Sequence, residues 1–484
     1  MIRPLAPVVR TLATLALAGT FVAPSASAAP SKDKTAPKKV KAAKPKAGGK
    51  TKATKAKKKR KKGDLEIDLP VETFTLDNGL RVIVLEDHST PAFALSIAYN
   101  VGSRDEQEGR TGFAHLFEHM MFKGSKNVPD GGHFKYILGV GGEMNAFTSA
   151  DVTQYYDVVP SHYLDMVLWL ESDRMRSLEV TEENFENQRA AVKEEKAMRV
   201  DNAPYIGVIL DVFSDLWKGT GYGHPTIGSL EDLNAAETKD VQAFFDRYYV
   251  PNNAVLSIVG DVEMAEVKQK VQQYFGDIPR GPDREKFEPV EHVQEKVEIE
   301  REDKLARQPL YLIGWKTVPE YHPDAKPLEL LVNILLRGDS SRITRILKDE
   351  KKLVIASLPI GSLGGGRDAG MASAAFIPVE GASFDEIKKV VVAEVEKVKK
   401  RGVSKKELQK AINQLTVDTV EQLATNLGRC IMTAQHELFY DDPKHILTDL
   451  EEYRAVKVKD LKRVANKYLT DKWVTVAVMP KKDK

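Results

Sequence analysis

Cysteine is almost missing from this sequence: Cys430 is the single one among 484 residues. One thiol excludes an intrachain disulfide and any cysteine-rich metal cluster. It is read as a small core residue on a helix. Long apolar runs are equally scarce. The segment TLATLALAGTFVA near the start is short and broken by Thr and Gly, too short for a transmembrane anchor, and no longer run follows it. Acid is nearly absent from residues 1–63, which carry 18 Lys and Arg against Asp33, a balance of +17. Residues 64–484 carry 54 bases and 69 acids, a balance of −15, so the net +2 conceals an acidic body behind a basic tail.

The first 28 residues read as a secretory signal. Arg3 and Arg10 give the positive region, the apolar segment follows, and Ala26-Ser27-Ala28 gives a small-residue cleavage site. No cysteine follows it to carry a lipid. Residues 29–64 form a Lys/Ala/Pro linker with no aromatic residue. Such a tract cannot bury enough surface to fold, so disorder is expected. It reads first as a solvated tether, and second as a contact for an anionic envelope surface. Export argues against nucleic acid. The expected location is periplasmic or secreted.

The rest of the chain is organised around TGFAHLFEHMMFKGS (111–125), which the composition predicts to be helical. His115 and His119 are four residues apart, on one face and about one turn distant from each other. Glu118 projects from the same side. Two imidazoles one turn apart can hold a zinc ion, and a neighbouring carboxylate can take a proton from water. H-x-x-E-H is the inverted form of the zincin pattern. Without a metal the same residues would be polar groups on a half-buried helix, a costly arrangement unless they have partners.

The run SRDEQEGRTGFAHLFEHMMFKGS resembles the metal-binding segment of the pitrilysin-type zinc peptidases, the inverzincin or insulinase and mitochondrial-processing-peptidase family. The resemblance implies one Zn²⁺ per chain and a third ligand on a later helix, six residues after an Arg. Counting from Arg189 in NQRAAVKEEKAM gives Glu195, with Glu194 as the fallback; Gln188 stands where the family often has Glu. It implies Glu118 as general base. It makes Glu143–Thr148 a substrate-side edge strand, with Asn145, Ala146 and Phe147 as substrate-binding positions and Asn145 as the side-chain candidate. His224, in GYGHPTIG, is read as structural. Complete members carry an Arg and a Tyr seven residues apart in the second half, and the matching positions here hold Lys348 and Ile355. That departure implies a homologous partner subunit or a second copy of the chain.

The chain repeats itself. RQPLYLIGWKTV (307–318) resembles the strand before the histidine helix, DAKPLELLVNILLRGDSSRITRILKDE takes that helix's place without a histidine, and DKWVTVAVMP (471–480) matches PNNAVLSIVGDV (251–262). Ser404 matches Thr181 as a helix cap, and Leu408 matches Phe185. The expected fold is α+β: two homologous halves, 65–285 and 286–484, each a mostly antiparallel sheet with helices packed on it, enclosing a cavity. The expected activity is an exported zinc endopeptidase acting on short or unfolded peptides. A non-catalytic structural subunit of an envelope assembly is the alternative, and a surface-binding protein acting through its basic tail is a third.

Overall fold

The computed structural model describes residues 67–284, 287, 289–290, 294–363 and 366–481, with backbone alone at 359–363. The leader and the basic linker lie outside the described residues. β1 (Glu72–Thr75) and β2 (Arg81–Glu86) pair antiparallel across the turn at Asn78-Gly79. Gly79 adopts a φ of +92°, and Asn78 Nδ2 donates to the carbonyls of Phe275 and Ile278. β3 (Ala92–Tyr99), β4 (Glu143–Thr148), β5 (Thr153–Pro160) and β6 (Ala254–Gly260) complete a six-stranded sheet ordered β1-β2-β6-β3-β5-β4. The second sheet contains β7 (Val297–Asp303), β8 (Leu310–Lys316), β9 (Val354–Leu363), β10 (Met371–Pro378) and β11 (Val474–Pro480), ordered β7-β11-β8-β10-β9. With β1 set aside the two orders correspond strand for strand. The one parallel pair falls at the same place in each, β2–β6 and β7–β11. The protein is a duplicated α+β unit.

The helices of the first half are α1 (Phe113–Met120), α2 (Gly132–Gly139), α3 (Leu164–Ser177), α4 (Glu182–Lys196), α5 (Ile206–Leu216), α6 (Leu230–Ala235), α7 (Thr238–Tyr248) and α8 (Met264–Phe275). Those of the second are α9 (Ala325–Leu336), α10 (Phe384–Arg401), α11 (Lys405–Leu423), α12 (Asn426–Tyr440), α13 (His445–Ala455) and α14 (Val458–Tyr468). Thr181 caps α4 and Ser404 caps α11, each accepting a backbone N–H of the first turn. The histidine helix is shorter than the 111–125 read from composition. Gly112 enters it with a left-handed φ of +91°, and beyond Met121 the chain turns back through Gly124, at φ +105°, and a Ser125–Val128 bridge.

Seven of the eight residues of β3 and all of β6 are buried. A strand reads as a continuous apolar run when both faces of its sheet are covered. One face of the first sheet packs on α1, α3, α4, α7 and α8. The other is covered by α12, which comes from the second half: Cys430, Ala434 and Leu438 meet Ile83, Leu85, Ala94, Ala98, Val255 and Val259. The exchange is reciprocal. Ile206, Ile209 and Val212 of α5 leave the first half and cover Leu310, Leu312, Val474 and Val476 on the second sheet. Cys430 lies at this junction with Sγ 3.1 Å from the Ser257 carbonyl, and burial pushes its thiol up to about 12. It is a packing residue. A cavity of about 510 Å³ separates the loops of the two halves.

Candidate metal centre

Helix α1 is fixed first at its N-terminus. Glu106, six residues upstream, folds back so that its carboxylate accepts the backbone N–H groups of Gly112 at 2.8 Å and Ala114 at 2.7 Å. These are the donors that a helix start leaves unpaired, and the helix dipole favours an anion there. Burial pushes the Glu106 carboxyl well above the usual range even so. Asp232 of α6 accepts from both the N–H and the hydroxyl of Thr111. Gly112 faces Gly228 of the GYGHPTIG loop so closely that a Cβ on it would stand 2.8 Å from the Ile227 carbonyl oxygen. The loop holding His224 thus packs against the start of α1. His224 Nδ1 lies 3.5 Å from Glu106.

Phe113, Ala114, Leu116, Phe117 and Met120 are buried in the first core. That apolar side leaves His115, Glu118 and His119 on the remaining face, toward α4. On α4 the residues turned inward are Phe185, Gln188 and Val192. Their spacing of three and four continues to 195, not 194. Glu195 accordingly lies on the inner stripe, with 15% of its side chain exposed, while Glu194 faces solvent.

The geometry converges. His119 Nε2 stands 3.2 Å and His115 Nε2 3.7 Å from Glu195 Oε2, and the two imidazole centroids are 4.9 Å apart. Two N/O ligands about 2.1 Å from a shared tetrahedral zinc would be about 3.4 Å apart, so the spacing suits that ion. Burial, reinforced by His119, pushes His115 down to about 4, which leaves one ring nitrogen with a free lone pair at neutral pH. The hydrogen bond with His119 holds the Glu195 carboxyl below its ordinary range. The other Glu195 oxygen, Oε1, pairs at 2.5 Å with Arg199, in the π-turn Ala197–Asp201 that continues α4. Arg199 therefore leaves Oε2 turned toward the histidines. Glu118 lies half-buried beside them. Desolvation raises its carboxyl, and it accepts a 2.6 Å hydrogen bond from the Thr148 hydroxyl at the end of β4. A carboxyl poised in this way suits proton transfer.

β4 is an edge strand, paired with β5 on one side only. Asn145 is exposed on it, Ala146 is buried and Phe147 is half-buried. The structure brings His115, His119, Glu195 and Glu118 together and sets β4 beside them through Thr148. Lys348 lies in the second half, ion-paired at 3.0 Å with Asp339. Ile355 is half-buried on β9. Arg199, Thr148, Glu106 and the Gly112–Gly228 contact escaped the sequence reading. Only Arg199 left a signal there, four residues after Glu195. Among the described residues the other possible ion-holding group is the exposed trio Glu86, His88 and Glu263, also in the first half.

Comparison with known proteins points the same way. A family model described as insulinase (peptidase family M16) matches residues 81–229, which include all three converging residues. A second, described as the peptidase M16 inactive domain, matches residues 236–415. The zinc protease PqqE of Helicobacter pylori is 30% identical over 410 residues, covering 83% of this chain and 90% of that protein. The crystal structure of a protease from Helicobacter pylori superposes with a TM-score of 0.77 at 28% identity, over 85% of this chain and 99% of that one. The periplasmic protease PqqL from Escherichia coli shares the fold, with a TM-score of 0.67 at 19% identity; this chain covers 48% of it and is itself covered over 86%.

Proposed function

The chain belongs to the M16 (insulinase) family of metallopeptidases, and from that premise we propose that it is an exported zinc endopeptidase acting on short or unfolded peptides. The observation that carries this reading is the convergence of His115 Nε2, His119 Nε2 and Glu195 Oε2, with Glu118 half-buried alongside. Zinc held by these three residues would supply Lewis acidity, polarising a peptide carbonyl and acidifying a water. The residues of the chain do the rest. Arg199 orients Glu195. Thr148 orients Glu118, which takes the proton of the attacking water on its carboxylate and returns it to the leaving amine. The free edge of β4, at Asn145, Ala146 and Phe147, pairs with an extended peptide through backbone hydrogen bonds, a mode largely independent of sequence.

The same reading assigns residues 1–28 to a removed leader, 29–64 to a basic linker that serves first as a solvated tether and second as a contact for an anionic envelope surface, 65–285 to the zinc-bearing half and 286–484 to the half without it. It makes the product periplasmic or secreted. A homologous partner subunit that carries the Arg and Tyr completes the enzyme. In support, Lys348 and Ile355 occupy the positions of the family's Arg and Tyr, and the chain is about half as long as PqqL.

The test is cleavage of an unstructured peptide by the purified mature chain, with zinc counted by elemental analysis, beside Glu118→Gln. The expected outcome is one zinc per chain in both proteins and a loss of roughly 10²–10⁴-fold in cleavage for the variant. Absence of bound zinc would refute the reading. Full activity of the unaccompanied chain would refute the partner.

A further inference from the structure

The cavity between the halves is lined from matching places in the duplication. Asn100 and Arg104 follow β3, and Glu320 and Tyr321 follow β8. Asp151 lies in the β4–β5 turn, and Gly366 and Arg367 in the β9–β10 turn. Arg284 enters from the connection between the halves. The cavity thus gathers three guanidinium groups, and they are not equally engaged.

Arg367 is fully held. Its Nη1 donates to Asn100 Oδ1 at 2.7 Å, its Nη2 to the Leu438 carbonyl at 3.2 Å, and its guanidinium lies 4.5 Å over the Phe439 ring. Burial and the nearby Arg104 push it down to about 10. Arg104 is different. Only 5% of its side chain is exposed, its Nε lies 3.2 Å from Asp151 Oδ1, and Nε and Nη1 have no hydrogen-bond partner among the described residues. Arg284 pairs through Nη2 with Asp105 and leaves Nη1 buried with no partner among those residues. Three guanidiniums and three carboxylates, Asp151, Glu320 and Asp441, share the lining, so the unpartnered N–H groups, not an excess of positive charge, mark the site. Of these acids, Asp441 turns to Arg81 at 3.0 Å and Glu320 is engaged by Tyr440.

A buried donor without an acceptor is costly, and more so when it is charged. The ligand that repairs such a wall is an anion, and the planar fork of arginine matches a carboxylate in particular. The lining also carries four aromatic rings: Phe287, whose ring lies 3.8 Å from the Arg104 guanidinium, with Tyr321, Phe439 and Tyr440. At about 510 Å³ the space holds more than a bare ion. We propose that this cavity binds the C-terminal carboxylate of a peptide, with Arg104 and Arg284 donating to the carboxylate and the aromatic wall taking the terminal side chain. The site is separate from the metal cluster and needs no turnover to be observed, so it stands or falls independently of the peptidase reading.

The experiment is calorimetric titration of the purified mature chain, with its metal, at low salt. The probes are N-acetyl-phenylalanine, its uncharged amide, and inorganic phosphate. The expected result is saturable binding of the acid, no binding of the amide, and no displacement of the acid by equimolar phosphate. Arg284→Gln should weaken the acid about tenfold, the weight of one charged hydrogen bond. Equal binding of acid and amide overturns the proposal. So does phosphate alone filling the site, which would make it a pocket for free anions. Unchanged affinity in Arg284→Gln would place the acid elsewhere, for example on the metal, and overturns it too. If Arg284→Gln misfolds, the comparison of acid with amide on the unmodified chain still decides.

Discussion

The exchanged helices make a quantitative demand on stability. Remove the second half by ending the chain at residue 284, and the face of the first sheet under α12 is bare. Ile83, Leu85, Val255 and Val259 are each at most 1% exposed in the whole protein, and all four pack in the cluster that α12 closes. Uncovering four such aliphatic side chains costs about 1.5–3 kcal/mol each, together about 6–12 kcal/mol. Because unfolded chains already bury some of this area, the sum is an upper value. It is still comparable with the whole stability of a domain, about 5–15 kcal/mol. The first half should therefore fail to fold alone, even though it holds His115, His119, Glu195 and Glu118. The assay is urea unfolding of 67–284 beside the mature chain, followed by circular dichroism, with sedimentation to detect association through the bare face. A companion substitution in the whole chain, Ala434→Glu, places a charge at a fully buried position of α12 and should lower the midpoint sharply. A monomeric fragment that unfolds cooperatively within about 2 kcal/mol of the mature chain would refute the reasoning.

The other predictions follow from single contacts. Arg199→Ala should weaken zinc binding about tenfold, the low end for an outer-shell partner, because 76% of its side chain is in water; a competitive chelator titration reads this, and unchanged affinity removes the orienting role. Gly112→Ala should destabilise by at least about 2 kcal/mol, since a left-handed backbone adds to a Cβ only 2.8 Å from a carbonyl oxygen, and an unchanged thermal midpoint would count against it. Glu407 is held down to about 2 by bidentate hydrogen bonding from Arg342, and it closes the cap of α11. Its folded value is below its unfolded one, so its contribution is complete above pH 4.5 and is lost as the pH falls toward 2. Screening at this half-exposed site reduces it to about 1–2 kcal/mol. Glu407→Gln should flatten that part of the stability-against-pH curve, and parallel curves would contradict the assignment.

Some of this protein was decided locally. The four-residue spacing of His115 and His119 and the carboxylate between them need only helical geometry to share a face. The alternating patterns around Asn78-Gly79 and through 143–160 need only the strand period. The caps Thr181 and Ser404 need only a hydroxyl three residues before a free N–H. The duplication was visible because each half repeats the same order of such local signals. Glu195 was reached by likeness to a family, yet its choice over Glu194 rests on a physical stripe, Phe185, Gln188 and Val192, that the packed structure makes plain. Tertiary structure alone decided the rest, because the partners are far apart in sequence and no periodicity records them. Nothing local announces that α5 and α12 cross to opposite halves, although the continuous burial of β3 and β6 depends on it. The carboxylate of Glu106 reaches the start of α1 only because the chain doubles back. Arg104 and Arg367 meet in one cavity only because loops from both halves close on each other. Short-range geometry set which side chains share a face, and packing between the halves set what each face meets.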